Sequence, residues 1–220
     1  MGLLHDLRDP ESERSLAKVM RARRFDFFRS LVDPLPKPIR ILDVGGTQDF
    51  WEAMNYVAPE IADITVVNLK APESRHANIT TMDANACDMP MFADGEFDVV
   101  FSNSVIEHVG NFSNQRAMAD EVQRIGKRYF VQTPNRHFPI EPHYMFPFFQ
   151  FMPTRIKTWL LMNLSIAWGG KIKDRDAAIA TANSVILLSC SSFTAMFPKA
   201  QIYKERVLGF TKSFIAFGGW

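Results

Sequence analysis

An α/β fold built on a doubly wound, mainly parallel sheet is predicted by three features of the sequence. Short β-rich runs alternate with helical stretches from residue 39 to residue 134, the first run ends in Gly45-Gly46, and the second follows at the spacing of a β-α-β unit. With 220 residues, 47% of them hydrophobic, the chain can build one sizeable core. One domain over 1–220 is therefore expected, with an N-terminal helical segment at 1–38 and an insertion or lid at 135–190.

Each element has its own signal. Residues 9 to 33 read as a helix, because Asp9-Pro10 supplies a start and Leu16, Val19, Met20, Phe27, Phe28 and Leu31 recur at helical spacing. DPLPKP then stops it. IRILDV (39–44) is a strand leading into the glycine pair, and Asp49 with Glu52 resembles a capping box for a helix through about Val57. ITVVNL (64–69) and FDVVFSN (97–103) are further strands. A helix from Ser113 to Gly126 carries Met118, Val122 and Ile125 on one face, and RYFVQT (128–133) is a strand closed by Pro134. From Pro134 to about Cys190 proline and aromatic residues replace the alternation, which marks an insertion over the sheet. A helix near Ser192 to Phe197 follows. QIYKERV and KSFIAFG are joined by so few residues that they form an antiparallel hairpin at the sheet edge.

Composition excludes several function classes. Lys plus Arg (25) balances Asp plus Glu (24), so nucleic acid and anionic membrane surfaces are not expected partners. Cys87 and Cys190 lack metal-ligand spacing and allow only one disulfide, which favours the cytoplasm. MGLLHDLRDPESER has charges where a signal peptide needs an apolar run, and Asp6 stands where a myristoylation motif needs Ser or Thr. The apolar stretch Trp159 to Trp168 is well short of the roughly 20 residues a membrane span requires.

In an open α/β sheet, ligands bind beyond the carboxyl ends of the strands. The loops found there hold Gly45 and Gly46 after the first strand, Asn68 after the second, Asn85, Ala86 and Asp88 near the third, and Ser102 and Asn103 after the fourth. ILDVGGTQDFW, NACDMPMFADGEFDVVFSNSVIEHVG and YFVQTPN, in this order and spacing, resemble the class I S-adenosylmethionine (SAM)-dependent methyltransferases. The likeness is to the bacterial small-molecule branch often called type 11, and it covers about 39 to 135.

That resemblance implies a Rossmann-like seven-stranded sheet with an antiparallel last strand, and SAM as cofactor. It places Asp43, Gly45 and Gly46 beside the methionine part of SAM, Asn68 at the ribose, Asn85 and Ala86 at the adenine edge, and Ser102, Asn103 and Ser104 beside the sulfonium. Glu107-His108 matches a pair common after that loop. Two departures stand out: Thr47, Gln48 and Asp49 replace the usual third glycine, and Asn replaces the acidic ribose and adenine ligands, keeping hydrogen bonds but contributing no charge. Gly45→Val is expected to block the cofactor while sparing the fold.

Methyl transfer can be driven largely by alignment and water exclusion. The expected acceptor is a small molecule, with O-methylation slightly favoured. An oxygen acceptor needs a base, and His137, Glu141 and His143 in NRHFPIEPHYMFPFF are the candidates. No metal site is expected from these three, because Pro139 and Pro142 extend the loop and no fourth ligand is evident. Residues 137 to 184 are read as the acceptor pocket, with Phe, Met and Trp as its walls; a core or dimer interface is the plainer use of the same aromatics. Asp98, His108, Phe101 and Trp51 have ordinary structural readings. A nicotinamide (NAD)-dependent oxidoreductase would need a GxGxxG loop and an acid after the second strand, and GGTQDF and Asn68 supply neither. A SAM-binding protein without catalysis is the other alternative. Oligomeric state is left open, a dimer included.

Overall fold

In the computed structural model, which describes residues 16–167 and 170–220, the first element is helix α1 (Leu16–Val32). The expected start at Asp9-Pro10 lies outside the described residues, as does Trp168. Met20, Phe25, Phe28 and Val32 form the buried face, whereas Val19, expected on that face, is exposed. Strand β1 (Ile39–Val44) follows, then helix α2 (Gln48–Ala53), β2 (Ala62–Asn68), β3 (Ile79–Asp83) and β4 (Val99–Asn103).

Helix α2 departs from expectation at both ends. Its cap is Thr47, whose hydroxyl accepts from the Phe50 amide, and it ends after six residues where Asn55 takes a left-handed conformation (φ 53°). Asp49 and Glu52 do not form a capping box. Both carboxylates turn outward, Asp49 to Arg75 and Glu52 to Arg75 (2.8 Å) and His76 (2.7 Å), pinning the loop before β3.

Helix α3 (Phe112–Ile125), capped by Asn111, leads to β5 (Tyr129–Pro134). The insertion comes next: a short hairpin of β6 (Ile140–Glu141) and β7 (Phe146–Pro147), a 3-10 turn at Phe149–Phe151, and helices α4 (Thr154–Asn163) and α5 (Arg175–Asn183). It packs its own small core from Tyr144, Phe149, Leu160, Leu161, Ala178 and Ala182. Helix α6 (Cys190–Met196) precedes the final hairpin, β8 (Gln201–Val207) and β9 (Phe210–Gly218). Leu208 (φ 49°) and Gly209 (φ 85°) make the two-residue turn, the left-handed pair that matches strand twist.

The seven long strands form one sheet in the order β3-β2-β1-β4-β5-β9-β8. Only β9 runs antiparallel to its neighbours, so β8 points the same way as the rest. This is the Rossmann-like arrangement expected. One face packs under α3 and α6, where Met118, Val122, Phe193 and Phe197 meet Leu42, Val100 and Val131. The other packs under α1 and α2, where Phe28, Trp51, Phe101 and Phe130 interlock, with the Phe28 and Phe101 rings 4.8 Å apart. No helix among the described residues is long and apolar enough to cross a membrane. The chain order reverses at β1, so the crevice between the carboxyl ends of β1 and β4 is the natural ligand position.

Candidate functional site

The loops leaving β1 and β4 meet across that crevice. Gly45 has φ 77°, and a Cβ there would lie 2.5 Å from a Val105 methyl; a Cβ on Gly46 would overlap the Asp43 carboxylate. The glycine pair therefore turns the backbone and makes room for a buried acid. Asp43 is fully buried; one oxygen accepts from Trp51 Nε1 at 2.7 Å, and the other has no partner among the described residues. Burial pushes this carboxyl up to about 7, with the Trp51 hydrogen bond pulling the other way. Opposite, Ser104 is held at φ 58° with its hydroxyl donating to Gln132 Oε1 at 2.8 Å.

Two cavities share Gly45 and Ser104. One, of about 570 Å³, is bordered by Asn68, Asn85 and Ala86. Asn68 Nδ2 donates to the Gly46 carbonyl (2.8 Å) and Asn85 Oδ1 accepts from the Cys87 amide (3.0 Å), so each amide is oriented by the backbone with its other end left for a ligand. The other cavity, of about 490 Å³, runs from Asp43, Gly45 and Gly46 past Phe50 and Asn103 to His143 and Lys212.

At the His143 wall lies a cluster of acids and imidazoles. Glu141 is buried and accepts from the His143 amide (2.8 Å), the Tyr144 amide (2.9 Å) and His143 Nδ1 (2.7 Å). With Nδ1–H donating to a carboxylate, neutral His143 carries its lone pair on Nε2. Burial alone would lower the His143 pKa, but the hydrogen bond and charge of Glu141, and then the charge of Glu107, hold it above the ordinary value. His143 Nε2 lies 3.1 Å from His108 Nε2, and burial followed by His143 pushes His108 down. Glu107 is fully buried on Thr133 (2.9 Å) and is raised to about 7 by burial. Glu107, His108 and His143 offer ligand atoms within 4.8 Å of one another, so this trio could hold a cation.

The far end of the same cavity is cationic. Arg24 donates to Asn103 Oδ1 (2.5 Å) and makes a two-point ion pair with Glu205 on β8 (2.6 and 3.1 Å); Glu205 also accepts from Ser213 on β9. Arg21, one turn before Arg24, and Lys212 on β9 complete this end.

Residues 42–129 match the family described as a methyltransferase domain. The match spans two fifths of the chain, from β1 to the start of β5. Among solved structures it is similar to a SAM-dependent methyltransferase of Aquifex aeolicus at 11% identity, covering 97% of this chain and 95% of that one with a TM-score of 0.53. It is also similar to the YcgJ protein of Bacillus subtilis, at 15% identity, 84% and 70% coverage and a TM-score of 0.51. A third is a phosphoethanolamine N-methyltransferase of Haemonchus contortus, with phosphomonomethylethanolamine and S-adenosylhomocysteine (SAH) bound, at 13% identity, 83% and 38% coverage and a TM-score of 0.50. Identities this low establish the fold and nothing finer. No curated protein matches by sequence.

The fold brings Asp43, Gly45, Gly46, Asn68, Asn85, Ala86 and Asn103 around two joined cavities, with His143 on the wall of one. Glu141 stands behind His143 rather than in the cleft. His137 is not brought in: it is exposed, its ring beside Phe151 at 6.2 Å, because the Asn135 side chain caps its amide and turns it away. Trp159, expected as a pocket wall, is 58% exposed. Tyr144, Phe146 and Phe149 pack the insertion's own core, Phe148 and Phe151 are exposed, and the insertion reaches the 490 Å³ cavity through Pro142 and His143. Sequence reading treated His108 as a packing residue and overlooked Glu107's burial, Arg21, Arg24 and Lys212. The only local signal for the arginines was their i, i+3 spacing on α1. Asp98 does serve structure, accepting from the Arg40 amide and Lys127.

Proposed function

We propose that this methyltransferase transfers the methyl group of SAM to an oxygen of a small-molecule acceptor, with His143 as general base. The observation that carries the reading is the His143–Glu141 pair: a lone pair on Nε2, fixed by a buried carboxylate, on the wall of the cavity that begins at the glycine loop.

The chain's residues fit SAM. Gly45 and Gly46 give a side-chain-free cradle, and the unpartnered oxygen of buried Asp43 suits the donor's ammonium. Asn68 would bind the ribose hydroxyls, Asn85 and Ala86 the adenine edge, and Asn103 the region of the sulfonium. When bound, SAM supplies a methyl group on a positively charged sulfur. The protein's work is to align the acceptor, to exclude water with the insertion at 135–190, and to take the hydroxyl proton on His143 Nε2. Glu141 is a positioning residue that fixes the tautomer of the ring.

Calorimetric titration with SAM, SAH and NAD tests the donor. SAM and SAH bind and NAD does not. Asn68→Asp keeps or improves SAH affinity while losing the Gly46 hydrogen bond; a ten-fold loss of affinity would place the adenosine elsewhere. A screen for SAH formation across acceptor pools, with product mass, identifies the acceptor atom, and methylation at nitrogen or carbon alone would overturn the oxygen assignment.

A further inference from the structure

Building on the methyl-transfer reading, we propose that the acceptor carries an anionic group, a carboxylate or a phosphate, seated between Arg21 and Lys212 at the cationic end of the cleft.

Three cations border this end, and among the described residues only Arg24 has an acidic partner. Arg24 is matched by Glu205, whose remaining hydrogen-bonding capacity goes to Ser213. Arg21 has no ion pair among the described residues, and Lys212 Nζ has only the weak acceptor Met20 Sδ at 3.4 Å. The acids along the cavity do not compensate: Asp49 is paired with Arg75 outside it, and Asp43 is buried on Trp51. Bringing these cations together is unfavourable. Burial and Arg24 lower the pKa of Arg21, and burial, Arg24 and Arg21 lower that of Lys212 against the pull of Glu205. A bound anion relieves that repulsion.

The donor as a whole does not neutralise this end. SAM carries a sulfonium, an ammonium and one carboxylate, a net positive charge, so its binding adds to the surplus. Position agrees. In the strand order β1-β4-β5-β9, Lys212 sits three strands from the glycine loop, about 14 Å at the usual strand spacing. Arg24 reaches the end of β4 through Asn103, and the Lys212 carbonyl accepts from the Asn135 amide just beyond β5. The surplus charge thus lies toward β5 and β9, in a cavity whose apolar lining includes Phe50 and Met54.

The test uses the full chain with methyl-labelled SAM and metabolite extract split beforehand on an anion exchanger. Label is expected in the retained, acidic fraction. Carboxylate-directed and phosphatase treatments of the labelled product then tell the two anions apart. On the compound identified, Arg21→Gln and Lys212→Gln should each raise KM ten-fold or more with SAH affinity within two-fold of wild type, and Arg21→Lys should recover part of the loss. Label confined to the unretained, neutral fraction overturns the proposal. So does a matching loss of SAH affinity in the variants, which would assign the cations to the donor's carboxylate. Wild-type protein that binds no SAH at all would instead overturn the methyl-transfer reading, and this proposal with it.

Discussion

Glu141→Gln changes one atom in the His143 wall and should reverse the chemistry of the ring. The glutamine oxygen can still accept from the His143 and Tyr144 amides, now 2.8 and 2.9 Å from Glu141 Oε2, so the hairpin is retained. The amide nitrogen then faces His143 Nδ1, where the carboxylate oxygen stands at 2.7 Å. It can only donate. His143 must present a lone pair on Nδ1 and move its proton to Nε2, the atom proposed to take the acceptor's proton. A base in the wrong tautomer forfeits general-base catalysis, on the order of 10²–10⁴ in rate, or about 3–5 kcal/mol of barrier. The assay is kcat on the identified acceptor across pH 5.5–9, with SAH affinity measured alongside. In the wild type the rate rises with pH through an apparent pKa above the ordinary histidine value, because Glu141 stabilises the imidazolium. In the variant kcat falls 100-fold or more, the apparent pKa moves down because burial is left without its counter-charge, and SAH binds as before. Wild-type kcat and an unmoved pH profile in a folded variant would refute the base assignment.

Three other outcomes follow from the same structure. Glu107, raised from 4.5 to about 7 by burial, contributes stability in its protonated form that is complete below pH 4.5 and lost as pH rises through about 7, roughly 3 kcal/mol in all. Glu107→Gln stays neutral, so its Tm should fall less than that of the wild type between pH 5 and 8; parallel curves would contradict this. Gly45→Val should lower Tm as well as SAH affinity, because φ 77° and the 2.5 Å approach of Val105 strain the variant without any ligand, by about 1–3 kcal/mol. An undiminished Tm would show that the loop can relax. Turnover should withstand excess chelator; loss on chelation, with recovery on adding a divalent cation, would make Glu107, His108 and His143 metal ligands.

The expectation that survived least well was the one resting on aromatic content. Phe, Met and Trp between 137 and 184 signal burial, but not against what. Trp159 points outward, Phe149 and Tyr144 close a local core, and the insertion's contribution to the main cavity comes down to Pro142 and His143. The capping reading at Asp49 and Glu52 failed for a related reason: the matching pattern was present, yet the side chains of Arg75 and His76, more than twenty residues away, take the two carboxylates in place of the backbone amides.

What the sequence by itself determined was the sheet and the crevice. Apolar runs such as IRILDV and FDVVFSN must be buried, the glycine pair must turn the chain after β1, and the short link between β8 and β9 must return antiparallel; all three are local consequences of side-chain and backbone chemistry. Only the tertiary structure decided the electrostatics of the site. Arg24 meets Glu205 across 181 positions, His108 meets His143 across 35, and Asp43 loses its water only when Trp51 and the sheet close over it. Charge and pKa depend on what lies within a few ångströms in space, and spacing along the chain carries no record of those distances.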